Sequence, residues 1–157
     1  MDAVDYQILK CLKENARQKA SAISEKINLS VSSVIDRIRK LEQMGVIQGY
    51  TVVLDQKHLG NDMIALMEVR LEHPKYYEAF TSMIRDNNNI VSCYYLTGDF
   101  DFTLKILTDS SDGLEMIHRQ IKSMEGVSAT KTHFVLKSVK NDLSAIPDIE
   151  PEEKKLP

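Results

Sequence analysis

Residues 19–45 read KASAISEKINLSVSSVIDRIRKLEQMG, and the spacing of apolar residues in this stretch decides what the first third of the chain is. Ala20, Ile23 and Ile27 form a short apolar face, which predicts a two-turn helix over residues 20–27. Asn28 follows, a residue type that tolerates the left-handed backbone of a tight turn after a helix. Ser30 then supplies an N-cap, and Val34, Ile38 and Leu41 carry a second helix at i, i+4 and i+7 until Gly45 closes it. Two helices joined by so short a turn make a helix-turn-helix unit, whose second helix enters the DNA major groove while the first braces it.

Upstream, residues 2–15 predict a helix capped by Asp2, with Val4, Ile8, Leu9 and Leu12 as its stripe. Off the apolar stripe, the second helix of the unit carries Ser32, Ser33, Asp36, Arg37, Arg39 and Lys40, the candidate DNA-binding residues. Small hydroxyl side chains let a helix approach base edges. Arg37 can reach guanine or phosphate, and Arg39 and Lys40 suit phosphates. An amphipathic helix with a solvated charged face would look the same in isolation; the brace helix and turn beside it favour DNA. Downstream, Val46, Ile47 and Thr51-Val52-Val53 read as strand, either a wing or the link to a second domain.

Charge supports this division. Residues 1–50 hold eight Lys/Arg against six Asp/Glu, a net +2, while the remainder holds twelve against seventeen, a net −5. A basic head on an acidic body has the sign expected of a DNA-binding module. The whole chain, 157 residues at a net −3, is long enough for one ordinary domain or two small ones. Only Cys11 and Cys93 occur, with neither redox-motif nor disulfide-framework spacing, which predicts a reducing cytoplasm. The N-terminus lacks the basic lead and apolar core of a secretory leader, and no apolar run reaches membrane-spanning length. The four histidines are scattered without ligand spacing, so no metal is expected.

From Asp62 the pattern changes. MIALMEVRL (63–71) alternates as a strand; a helix follows from Pro74 with Tyr77, Phe80 and Ile84 inward; residues 90–96 and 102–107 read as strands. A helix over 110–126 places Leu114, Ile117, Ile121 and Met124 inward, and residues 129–139 form the last strand. The order βαββαβ is the ferredoxin-like unit, a four-stranded antiparallel sheet with both helices on one face. The fold class is therefore α+β: an N-terminal, winged helix-turn-helix head joined to a ferredoxin-like βαββαβ domain. Leu66, Leu96, Leu107, Phe134 and Leu136 are too many large apolar residues for one small sheet to hide, which predicts an open apolar face and self-association. The expected domains are residues 1–50 for the head, 51–61 for a β linker, 62–140 for ligand binding and oligomerisation, and 141–157 for a mobile tail.

LTGDFDF (96–102) falls at the hairpin between the second and third strands of this unit. Gly98 permits the tight turn. Asp99 and Asp101 flank Phe100, but two acids on a solvent-facing turn have no evident cleft between them, and no Ser, Cys or His stands as a nucleophile–base set. A turn held by side-chain-to-backbone hydrogen bonds accounts for them. Free amides beside carboxylates also suit the two charged ends of an amino acid.

LSVSSVIDRIRKLEQMGVIQGY, TGDFDFTLKI and VSATKTHFVLKSVK together, in this order, resemble the Lrp/AsnC (leucine-responsive regulatory protein) family over about residues 2–140. The resemblance implies a DNA-binding head, a ferredoxin-like effector domain, dimers that assemble to octamers, and an amino acid bound between effector domains. It assigns effector binding to Gly98, Asp99, Phe100 and Asp101 of the turn, joined by Thr130 and Thr132 of the last strand. The chain departs from the family at Val31, where proline often follows LS; at Lys19, where Ser or Thr usually caps; and at Asn28, in place of the turn glycine. The implied function is a sequence-specific transcriptional regulator, with no cofactor beyond an amino-acid effector and no enzymatic activity. Double-stranded DNA and further copies of the chain would be its partners, in a bacterial or archaeal cytoplasm, on the nucleoid. A DNA-architectural protein that wraps DNA without a ligand response would use the same head and assembly. An enzyme built on the second domain lacks a nucleophile and metal spacing.

Overall fold

The structure, a computed structural model, describes residues 1–147. It divides into two compact units, one from Met1 to Val53 together with residues 140–147, the other from Leu54 to Val139.

The head contains three helices: α1 (Ala3–Glu14), α2 (Ala20–Ile27) and α3 (Val31–Gln43). Asp2 caps α1 in a reciprocal arrangement, its carboxylate accepting from the Asp5 N–H while the Asp5 carboxylate accepts from the Asp2 N–H, both at 2.9 Å. Lys19 takes the N-cap position of α2 without a side-chain hydrogen bond, and Asn28 ends that helix in the left-handed conformation, φ 55°. Ser30 caps α3 by accepting from the Ser33 N–H. Ile8, Cys11, Ile23, Val34 and Leu41 are buried together where the helices meet. The strand expected after α3 does not form: residues 46–53 are irregular, with Val52 and Val53 exposed. A strand needs a neighbouring ladder to satisfy its backbone groups, and the described residues of this unit contain none. Beyond Lys140, Asp142 pairs with Lys13 of α1 at 3.2 Å, and Leu143 and Ile146 line a cleft with Tyr6 and Leu9. The expected mobile tail lies, over residues 148–157, outside the described residues.

The second unit holds β1 (Met63–Leu71), a 3-10 turn (Pro74–Tyr76) leading into α4 (Tyr77–Arg85), β2 (Ile90–Tyr95), β3 (Phe102–Thr108), α5 (Ser111–Lys122) and β4 (Val127–Phe134). The sheet order is β2-β3-β1-β4, antiparallel throughout. Ala65, Met67 and Val69 of β1 stand opposite Ile106, Leu104 and Phe102 of β3, and this face is buried under Phe80 and Ile84 of α4 and Leu114, Ile117 and Ile121 of α5. The last strand stops at Phe134, short of the expected Val139, because its partner β1 begins at Met63 and the ladder runs out.

The other sheet face is less apolar than expected. Phe134 pairs with Ala65 and so sits on the helix side, and Leu107 is buried. Leu66 and Tyr94 are exposed on the outer face, but Glu68, Lys105, Lys131 and His133 alternate with them. Glu68 lies 3.9 Å from the Lys131 ammonium and 3.4 Å from the His133 ring.

Candidate functional site

In the head, the chemistry rests on α3. Its inward stripe of Val34, Ile38 and Leu41 packs against α1 and α2, which turns Ser32, Asp36, Arg39 and Lys40 to solvent. The Arg39 guanidinium lies 3.5 Å from the Asp36 carboxylate, both well exposed, so either remains available to another partner. Ser30 Oγ shares hydrogen bonds with the hydroxyls of Ser32 (3.1 Å) and Ser33 (2.7 Å), gathering three small polar groups at the helix N-terminus.

Arg37 is placed differently. Its Nη1 donates to Asp2 at 2.9 and 3.0 Å and to Asp5 at 2.6 Å, tying α3 to the N-terminus of α1. The Asp5 backbone N–H first, and the Arg37 guanidinium with it, hold the Asp2 carboxyl below the usual carboxylate range. The sequence flagged Arg37 as basic and off the stripe but gave no sign that two acids thirty-odd residues earlier would meet it. The sequence marked Val31 only as a departure from the family's proline and did not single out Ile35, yet both are exposed beside Ser32 and Arg39. Their i, i+4 spacing off the buried stripe was the available signal.

In the second unit, Leu96 N–H donates to the Asp101 carbonyl at 2.7 Å and closes the hairpin, and Gly98 turns it at φ 135°. Asp101 is bound into β1: its N–H donates to the Val69 carbonyl (3.0 Å) and its carboxylate accepts from the Leu71 N–H (2.7 Å), where the β1–β4 register shifts between Arg70 and Leu71. Arg70, which the sequence did not single out, donates from Nε to the Asp99 carbonyl (2.5 Å) and stacks its guanidinium over the Phe100 ring at 5.0 Å. These contacts tie the turn to β1. Beside it, Asp101, Leu71, His73, Tyr77 and Tyr95 line a cleft of about 380 Å³. Tyr77 and Tyr95 of this lining meet edge-to-face and both pack on the buried Phe102 ring, with ring centroids 5.1–5.6 Å apart.

Thr130 and Thr132 stand on the helix side of edge strand β4, opposite Val69 and Met67. Thr130 Oγ1 is 3.2 Å from His118 Nε2 of α5; Thr132 Oγ1 is buried without a hydrogen-bond partner. Thr132 lines a separate shallow cleft of about 320 Å³ with Ser111, His118 and Phe134. Within one chain, therefore, Asp101 and Thr132 do not share a cavity. Among the described residues no group of His, Cys, Asp or Glu is arranged to hold a metal ion, and no helix is long and apolar enough to cross a membrane.

Comparison with known proteins agrees with both halves. Residues 1–48 match a winged helix-turn-helix DNA-binding family and residues 64–145 the Lrp/AsnC ligand binding domain. The chain is 35% identical over 140 residues to the HTH-type transcriptional regulator FL11 of Pyrococcus horikoshii, covering 89% of this chain and 92% of that one. It is 30% identical over 143 residues to the leucine-responsive regulatory protein of Escherichia coli, covering 89% and 87%. Among solved structures, a transcriptional regulator of Neisseria meningitidis in complex with L-Met superposes with a TM-score of 0.88 at 27% identity, over 92% of this chain and 96% of that one. With a DNA-binding head and a ligand-binding domain each matched in place, this chain belongs to the Lrp/AsnC family of transcriptional regulators.

Proposed function

We infer that the protein is a sequence-specific regulator whose DNA affinity responds to an amino acid bound between the second units of neighbouring copies. The observation that carries this reading is the pre-organised turn at 98–101. Arg70 and the β1 backbone already hold its shape, so a ligand meets fixed main-chain groups without the cost of ordering them. Backbone amides of the turn bind the α-carboxylate, and Asp101 accepts from the ammonium, through charge-assisted bonds about twice as strong as neutral ones. Thr130 and Thr132 of an adjacent copy supply hydroxyls, and the unpartnered Thr132 Oγ1 gains the acceptor or donor it lacks. The Neisseria relative solved with L-Met supports the ligand class. No reaction is assigned, since the carboxylate of Asp101 serves the Leu71 amide rather than a reacting centre.

The head binds double-stranded DNA through α3, with Ser32, Ser33, Asp36, Arg39 and Lys40 at the groove and Arg37 setting the helix in place. The ligand changes DNA affinity only by its differential affinity for two assembly states. A thermal-shift screen of the twenty amino acids, followed by DNA titration with and without the stabilising one, tests the reading. A stabilising amino acid that also changes DNA affinity supports it; DNA binding with no amino-acid response leaves the architectural alternative.

A further inference from the structure

Val31 and Ile35 are each 42% exposed on α3, where the helix is otherwise polar toward solvent. They lie at i and i+4, and Arg39 continues the same line at i+8, so the three side chains stack along one edge of the helix. Val31 is the first helical residue, in the turn that a recognition helix brings to base edges. Neither residue helps the helix: β-branched side chains lose rotamer freedom there and are poorer formers than Ala, Lys or Gln. Neither is needed by the core of the head, which Val34, Ile38 and Leu41 fill from the same helix. Their stiffness instead presents methyl groups in fixed positions beside Ser32 and Arg39.

Of the two arginines of α3, only Arg39 lies on this edge. Arg37 is turned back onto Asp2 and Asp5. In the major groove the one apolar feature on a base edge is the thymine C5-methyl group. We propose that Val31 and Ile35 are specificity-determining residues that seat against thymine methyls, while Arg39 and Lys40 hold the flanking phosphates. This rests on the reading of α3 as the groove-facing helix.

The test uses the full chain. A preferred duplex is selected from a random library, and each thymine in it is replaced in turn by deoxyuridine, which removes only the methyl group. The parent should lose affinity about fourfold at each contacted thymine, the transfer free energy of one buried methyl group. Ile35→Ala should lose the penalty at one thymine and Val31→Ala at another, each keeping the parent's helicity by circular dichroism. Should either variant fold poorly, the other still carries the test. Deoxyuridine without effect at every position, or with the same effect in parent and variants, overturns the inference while salt-dependent binding to the duplex upholds DNA binding itself. Absence of any DNA binding overturns both.

Discussion

At the residue scale, Arg37 shows how a charge suited to DNA becomes part of a scaffold. One guanidinium nitrogen meets both acids of the α1 cap, and Asp5, largely buried, would be left without its cation if Arg37 were removed. Arg37→Ala should therefore destabilise the head by about 1–2 kcal/mol in chemical denaturation. Unlike Lys40→Ala, which should lower the log–log salt slope of DNA binding by roughly 0.9, it should leave that slope unchanged. The same cluster gives the head an acid limb. Asp2 has a folded-state pKa below its unfolded one, so its stabilisation is present above the unfolded value of about 3.9 and is lost as pH falls through the folded value. Asp2→Asn should flatten that limb in acid titrations followed by circular dichroism. Asp101 needs an equally careful substitution. Alanine there would orphan the Leu71 amide, costing about 1–3 kcal/mol. Asp101→Asn keeps an acceptor oxygen and removes only the charge, so folding should survive while amino-acid affinity measured by calorimetry is lost; retained affinity would move the ammonium site elsewhere.

At the element scale, caps and close approaches decide which helices are weak. Lys19 already has extended N-cap geometry, φ −71° and ψ 148°, yet offers α2 no acceptor. Lys19→Ser should stabilise the head by about 1 kcal/mol, read as a raised melting temperature. Gly126 precedes β4 at φ 83°, and a Cβ there would run into the Tyr76 ring. Gly98 also has positive φ but faces open space, so its requirement is conformational rather than steric. These elements were largely legible beforehand. Asp2, Ser30 and Asn28 stand where caps and turns were expected, and α2 spans residues 20–27 as read. The misread ones, the strand at 46–53 and the far end of β4, failed for one reason: β-branched composition signals strand tendency, but a partner's backbone decides whether a strand exists.

For the whole molecule, the head should bind DNA as part of a pair. We expect at least a dimer at micromolar concentration, with half-sites about one helical turn apart or a multiple of that. Sedimentation showing a stable monomer would remove both the pairing of heads and the shared effector pocket. The order of elements, the helix-turn-helix head and the βαββαβ second unit could be read from periodicity, because burial on one face imposes a period on each helix and strand. Contacts between distant residues carry no such imprint. Arg37 on Asp2 and Asp5, Arg70 over Phe100, the Leu71 amide on Asp101 and the orphaned Thr132 hydroxyl arise only when the folded backbone brings separate elements together. Which charges reach solvent, and which are spent on the scaffold, was therefore a decision of the tertiary structure.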